Sequence, residues 1–315
     1  MSEHPFHQWV AAAEPKREVW RTLAGFVLIL IIWTGWTAVL GLIAVGGGLV
    51  NPRLLAGSVQ GNLGMLSFAE AAVLLGVMLA TFWGLWLGAW IVLKALHRRG
   101  LSTLVSSDGR LRLGQFGVGA ALAAAYLAAG LVYALAMGAA PIRTDIDPGQ
   151  WLVAFIPLAL LVLAQSAGEE VVFRGYLPQQ LAARWRHPLV WGLLPSLAFG
   201  LAHVFNGGAL DSFALYYVAA ATTLGLVMMA MVWRTGSLAA AMGFHFVNNI
   251  GALLIVGVVG VGPPVSLWMW LPGDAVAGAS TDLLMLGLLL AFMLSPLMPL
   301  PKGQPLRRNE TRAAP

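Results

Sequence analysis

The stretch WLVAFIPLALLVLAQSAGEEVVFR, Trp151–Arg174, decides the fold. From Trp151 to Ala164 it contains no charge, amide or hydroxyl. A helix needs roughly 20 mostly apolar residues to cross a hydrocarbon core of about 30 Å, and this run has that length. It nevertheless closes on Glu169, Glu170 and Arg174. A charge at the centre of a span costs about 2.5–3.5 kcal/mol on insertion scales, so these residues need a physical reason to be there.

Working outward, seven further apolar runs reach or approach the same length: Leu23–Val45, Leu66–Leu96, Phe116–Met137, Leu189–Phe205, Phe213–Trp233, Leu238–Val259 and Leu283–Leu300. The whole composition agrees with them. The 315 residues are 59% hydrophobic and 10% charged, against about 45–50% and about 25% in soluble domains. That excludes a soluble enzyme, a disordered chain and a disulfide-stapled secreted domain. The expected fold is all-α, a polytopic membrane bundle of about eight transmembrane helices. Cysteine is absent, which removes thiol nucleophiles and Cys-ligated metals. The net charge of +5 is scattered between apolar runs and forms no patch, so no nucleic-acid partner is expected.

In a membrane protein that charge reports topology. With the N-terminus cytoplasmic, the basic residues from Lys16 to Arg312 fall inside, except Arg53 and Arg143, with Arg174 set aside. Asp145, Asp147, Asp211, Asp274 and Asp282 fall outside. Both termini are therefore expected to be cytoplasmic. Residues 1–21 form a cytoplasmic N-terminal segment, 22–300 the transmembrane domain and 301–315 a disordered cytoplasmic tail. The polar residues before the first run mark it as a retained anchor, not a cleaved signal. Gly175 to Trp185, with alternating polar and apolar residues, is expected to lie along the cytoplasmic interface. Pro195 suits a first helical turn and marks the expected start of the fifth helix.

Few polar residues fall within the apolar runs. Only His203 and His245 of the six histidines do, joined by Asn248, Asn249, Glu169 and Glu170, with Glu70 near the end of its span. Residues i and i+4 share a helix face, so Glu170 can pair with Arg174, while Glu169 points elsewhere without a local counter-charge. His245 and Asn249 stand one above the other in the same way. A carboxylate, two imidazoles and an amide can take a proton from water and hold an oxyanion. Glu and His are also zinc ligands. No H-E-x-x-H, G-x-S-x-G or intramembrane aspartate pair is present, so serine, cysteine and aspartyl mechanisms are unsupported.

Glu169-Glu170-Val171-Val172-Phe173-Arg174 matches E-E-x-x-x-R, Phe199-Gly200-Leu201-Ala202-His203 matches F-x-x-x-H, and His245-Phe246-Val247-Asn248-Asn249 matches H-x-x-x-N. In this order the motifs resemble the CPBP family of intramembrane endopeptidases, which includes CAAX prenyl proteases and bacteriocin-processing or immunity proteins. The resemblance covers roughly residues 150–260, which it implies are a catalytic core. It implies that Glu169 and His203 activate the attacking water and that His245 and Asn249 form the oxyanion site. Glu170 and Arg174 would hold the first motif together, and Phe199 would pack beside the pocket. It leaves open a divalent metal such as zinc on Glu169, His203 and His245. The implied partners are membrane lipids and a membrane-associated or lipid-anchored protein or peptide substrate, in a bacterial plasma membrane. The rival readings are a proton-coupled transporter using Glu169, His203 and His245 as a relay, and a non-catalytic scaffold or immunity protein.

Overall fold

In a computed structural model of the chain the described residues are 4–52, 66–204, 212–298 and 300. Arg53, Asp211 and the tail from Lys302 lie outside them. The burial pattern is inverted relative to a water-soluble protein. Leu42, Leu113 and Val153 are more than 70% exposed, whereas Glu170, Arg174 and Gln179 are fully buried. An apolar exterior around a polar interior suits lipid as the surrounding solvent. Among the described residues six helical stretches are long and apolar enough to cross a membrane. Two shorter apolar helices, Leu189–Ala202 and Ala239–Ile255, complete the eight runs delimited above. The protein is an integral, multi-pass, all-α membrane protein.

A short helix α1 (Pro5–Ala11) precedes the bundle and is docked on it: Phe6 and Trp9 are fully buried, and Trp9 Nε1 donates to the Leu104 carbonyl at 2.8 Å. The first long helix, α2 (Val19–Gly46), packs on α4 (Trp83–Ala95). Helix α3 (Phe68–Ala80) starts with a capping box in which Ser67 and Glu70 satisfy each other's backbone donors. That accounts for Glu70. The long run stays a single candidate span, Phe68–His97, with a local turn at Thr81 and Phe82, where the Thr81 hydroxyl donates to the Met78 carbonyl at 2.7 Å and competes with the helical ladder.

After the turn α5 (Ser102–Val105), helix α6 (Leu113–Ala136) lies directly against α11 (Ala239–Ile250). A Cβ on Gly119 would collide with the Ala240 carbonyl, and one on Gly243 with the Phe116 carbonyl. The two glycines let the backbones touch, as small residues do between membrane helices. Helix α7 (Pro148–Glu170) is capped by Asp147, whose carboxylate accepts from the Gln150 amide at 2.8 Å. Outside these helix ends lies a small sheet of order β1-β3-β2. Strand β1 (Ile142–Arg143) is antiparallel to β3 (Trp268–Trp270), with Ile142 opposite Met269, and β2 (Val256–Val258) is parallel to it.

Four expectations need correction. Gly175 to Trp185 does not turn its polar side chains to the membrane surface. A π-helical turn (Val171–Tyr176) carries α7 straight into α8 (Leu177–Arg184), whose Gln179 and Gln180 are buried. Gln179 Nε2 donates to the carbonyls of Trp9 (2.7 Å) and Thr103 (2.8 Å), so the polar residues face protein and not headgroups. Asp282 is not an external residue either. The last helix, α12, runs Pro272–Leu294, and Asp282 sits midway along it, accepting from Tyr126 and, at 2.6 Å, from Tyr216 of α10 (Ser212–Thr235). Two phenol donors make an acid tolerable there. The seventh run leaves the α-helix at Ile250, passes through a π turn (Gly251–Ile255) and ends as strand β2. Pro195 lies in the first turn of α9 (Leu194–Ala202), but α9 continues without a break from a π turn (Leu189–Leu193), so the fifth helical run starts at Leu189 and not at Pro195.

Candidate active site

The last turn of α7 delivers Glu169 and Glu170 side by side, and the π turn that follows delivers Arg174. Arg174 Nη1 donates to Glu170 Oε1 at 3.0 Å, the pair expected from i, i+4 spacing. Both side chains are buried, a setting in which a charge is costly unless paired. The guanidinium also lies 3.9 Å from the Phe199 ring centroid, a desolvated cation–π contact. Space for it comes from Gly225 on α10, where a Cβ would stand 2.9 Å from Arg174 Nη2.

Phe199, on α9, is the hub of the site. Its ring centroid is 4.4 Å from that of His203, 5.3 Å from that of Phe173 and 5.8 Å, edge-on, from that of His245. His203 ends α9 and its Nδ1 bonds the Phe199 carbonyl at 2.8 Å. A carbonyl only accepts, so Nδ1 is the protonated nitrogen. Nε2 of the neutral ring is then the one with a lone pair to offer.

His245, on α11, enters between the two glutamates. Its Nδ1 is 2.8 Å from Glu170 Oε1 and its Nε2 is 3.4 Å from Glu169 Oε2. The expectation that Glu169 has no counter-group is therefore corrected. Side chains about 100° apart on one helix converge on a partner that sits between them. Glu170 in turn is more than an internal clamp, because one oxygen serves both Arg174 and His245. Glu169 Oε2, Glu170 Oε2 and Arg174 Nη2 are buried and carry no hydrogen bond. Such unpaired atoms are rare in folded interiors, and here they gather in one place.

One turn along α11, Asn249 Nδ2 donates to Gln165 Oε1 at 2.9 Å, and Asn249 Oδ1 accepts from Asn248 at 3.2 Å. Helices α7 and α11 thus run antiparallel with two matched polar layers, Gln165 with Asn249 and the glutamates with His245. Gln165 was missed from sequence. The available signal was its position four residues before Glu169, on the same helix face. Glu169 and His245 are buried, while His203, Asn248 and Asn249 are partly exposed, so the cluster is approached from their side.

The metal expectation does not fit this geometry. Among the described residues no group of three or more His, Asp or Glu side chains could hold an ion. His245 presents both nitrogens to carboxylates, and one nitrogen of His203 is taken by a backbone carbonyl.

Comparison with known proteins bears on the same segment. The model of the family described as type II CAAX prenyl endopeptidase Rce1-like matches residues 149–251. Uncharacterized protein YyaK of Bacillus subtilis (strain 168) is 31% identical over 100 residues, 32% of this chain and 32% of its own length. The chain thus matches about a third of the curated relative's length. No solved structure matches. The matched segment contains all three motifs and every polar residue of the cluster, so it is over residues 149–251 that the chain is similar to the type II CAAX prenyl endopeptidase family.

Proposed function

We propose that the protein is an intramembrane endopeptidase. It would hydrolyse a peptide bond of a membrane-associated or lipid-anchored protein or peptide in a bacterial plasma membrane, with residues 150–260 as its catalytic core. The observation that carries this reading is the convergence of Glu169, His245 and His203 from three helices, with Glu169 Oε2 left without a hydrogen bond beside His245 Nε2. Glu169 takes the proton of the attacking water, assisted by the Nε2 lone pair of His203. Two carboxylates and one guanidinium leave one negative charge, which a proton on His245 offsets. Held by Glu170 through Nδ1, that imidazolium directs its other N–H from Nε2 toward the oxygen on which charge develops. Asn249 spends one amide N–H on Gln165 and keeps the second for the same oxyanion. The proton gathered by Glu169 then passes to the leaving amine. No step is routed through a metal.

The test uses purified full-length protein in lipid vesicles and a panel of C-terminal peptides, with and without a prenyl thioether. Released fragments are read by mass spectrometry. Wild-type protein should release a defined C-terminal fragment, and Glu169→Ala and His203→Ala should lower the rate roughly 100-fold or more while remaining folded. Cleavage by both variants at the wild-type rate refutes the assignment.

A further inference from the structure

Where α4 ends, a cavity of about 230 Å³ opens between the N-terminal segment and the bundle. Its walls are the backbone turn at Ala12, Ala13 and Pro15 together with Lys16, His97, Arg98 and Arg99. No acid lines it. The nearest acid in sequence, Glu14, is exposed and does not line the cavity, and Glu18 is engaged by Arg21 at 3.0 Å. Among the described residues no carboxylate forms an ion pair with Lys16, Arg98 or Arg99.

Arg99 forms the partly buried inner wall of this cavity and is held only by neutral groups. It donates to Gln179, to Thr103 Oγ1 at 3.0 Å and, with the Gln180 amide oriented to satisfy both its atoms, to Gln180 Oε1 at 2.9 Å. Its Nε is buried without a hydrogen bond. A buried guanidinium with no carboxylate beside it is an arrangement that folding avoids unless an anion completes it. Burial pushes this group down to about 10, in keeping with the missing counter-charge. Next to it, Arg98 has φ 55°, the only positive φ at a non-glycine position among the described residues. A left-handed backbone at a residue with a long side chain is strained, and such strain concentrates at binding sites. The cavity also sits at headgroup depth. Trp20, 58% exposed and stacked on Arg21, marks the interface, and Leu23, 60% exposed, begins the lipid-facing surface less than one turn further on.

We propose that this cavity binds the phosphate of an anionic phospholipid headgroup, with Arg99 at its inner wall and Lys16 and Arg98 at its rim. The occupant would tie the N-terminal segment to α4 and α8, because Gln180 donates to the Lys16 carbonyl at 3.1 Å and accepts from His97 Nδ1 at 3.1 Å, while His97 Nε2 stands 3.1 Å from the Tyr176 hydroxyl. This inference does not depend on the peptidase reading.

The experiment is native mass spectrometry of the full chain in detergent, titrated with phosphatidylglycerol, with phosphatidylcholine, or with inorganic phosphate alone. The proteins are wild type, Lys16→Gln/Arg98→Gln, and Arg110→Gln as a cation away from the cavity. Wild type should retain phosphatidylglycerol over phosphatidylcholine. The double variant should lose affinity by roughly fivefold for each cation removed, and Arg110→Gln should not. Equal retention of the two lipids, or no loss in the double variant, overturns the proposal. A loss in Arg110→Gln as large as in the double variant also overturns it, by reducing the effect to general surface charge. If inorganic phosphate binds through Lys16 and Arg98 while phosphatidylglycerol fails to compete with it, the occupant is a soluble phosphate and the lipid assignment is overturned.

Discussion

Arg174→Ala removes a buried guanidinium that bonds Glu170 at 3.0 Å and covers the Phe199 ring at 3.9 Å. Two losses combine. The Glu170 carboxylate stays buried without its ion partner, and breaking such a pair costs about 3–5 kcal/mol. The desolvated cation–π contact contributes about 2 kcal/mol more. His245 remains bonded to Glu170 and recovers part of this, so the net destabilisation is about 4 kcal/mol. At about 2–4 °C per kcal/mol for a chain of this order of size, melting should fall by roughly 10 °C. The chain has 13 tryptophans and no cysteine, so intrinsic fluorescence, not thiol-reactive dyes, follows unfolding in detergent. Two companion variants isolate the cause. Arg174→Lys keeps the charge but loses the planar stack on Phe199, and should fall between wild type and Arg174→Ala. Glu170→Gln/Arg174→Met removes both charges and should recover part of the lost stability, because the penalty lies in leaving one partner alone. If Arg174→Ala melts within about 2 °C of wild type, or if the double variant is the least stable of the set, the stranded-carboxylate reasoning is wrong.

Three shorter predictions complete the test of the site. Gln165→Leu frees Asn249 from its only bond to α7; kcat should drop roughly tenfold with KM and melting little changed, and an unaltered kcat removes Gln165 from the site. Incubation with a strong zinc chelator should leave peptide release unchanged, and a loss restored by added zinc would show that the protein assembles a ligand set absent from this geometry. Asp282→Ala leaves the hydroxyls of Tyr126 and Tyr216 without their acceptor inside the bundle, so melting should fall by several degrees, with substrate cleavage at ambient temperature preserved.

Much of this was legible in the sequence because membrane insertion is a strong filter. Insertion penalties keep polar groups out of apolar runs, so those that remain stand out, and Glu169, His203, His245 and Asn249 were visible one by one. Pro195 announced a first helical turn through backbone chemistry alone. What stayed hidden depends on the third dimension. Gln179 and Gln180 looked interfacial because a sequence pattern reports amphipathicity, not whether the polar side meets water or a docked N-terminal helix. Asp282 was assigned outside because an acid near a run boundary is ordinarily excluded from it; two tyrosines from other helices reverse that, and their spacing in sequence gives no hint. The π turns at Val171–Tyr176 and Gly251–Ile255 have no residue signature comparable to a cap.

The same geometry bears on the roles proposed for the two adjacent glutamates, which their spacing to Arg174 already sets apart. Glu170 is fully buried, and its Oε1 accepts from Arg174 at 3.0 Å and from His245 Nδ1 at 2.8 Å. An acceptor already serving two donors, one of them a permanent cation, is poorly placed to take another proton, and its natural work is to orient the imidazole. Each glutamate keeps an Oε2 without a hydrogen bond, but Glu169 has no arginine bonded to it, and its ion partner, His245 Nε2, is 3.4 Å away. In the proposed mechanism the base is Glu169, the carboxylate that no arginine neutralises. The order of the pair follows from the helix. Position 170, and not 169, lies four residues before Arg174, so only the second glutamate can be neutralised along its own helix, and the first is left for the neighbouring helix and for chemistry. Exchanging the two functions would require moving Arg174 by one residue, which would also carry it off the Phe199 ring.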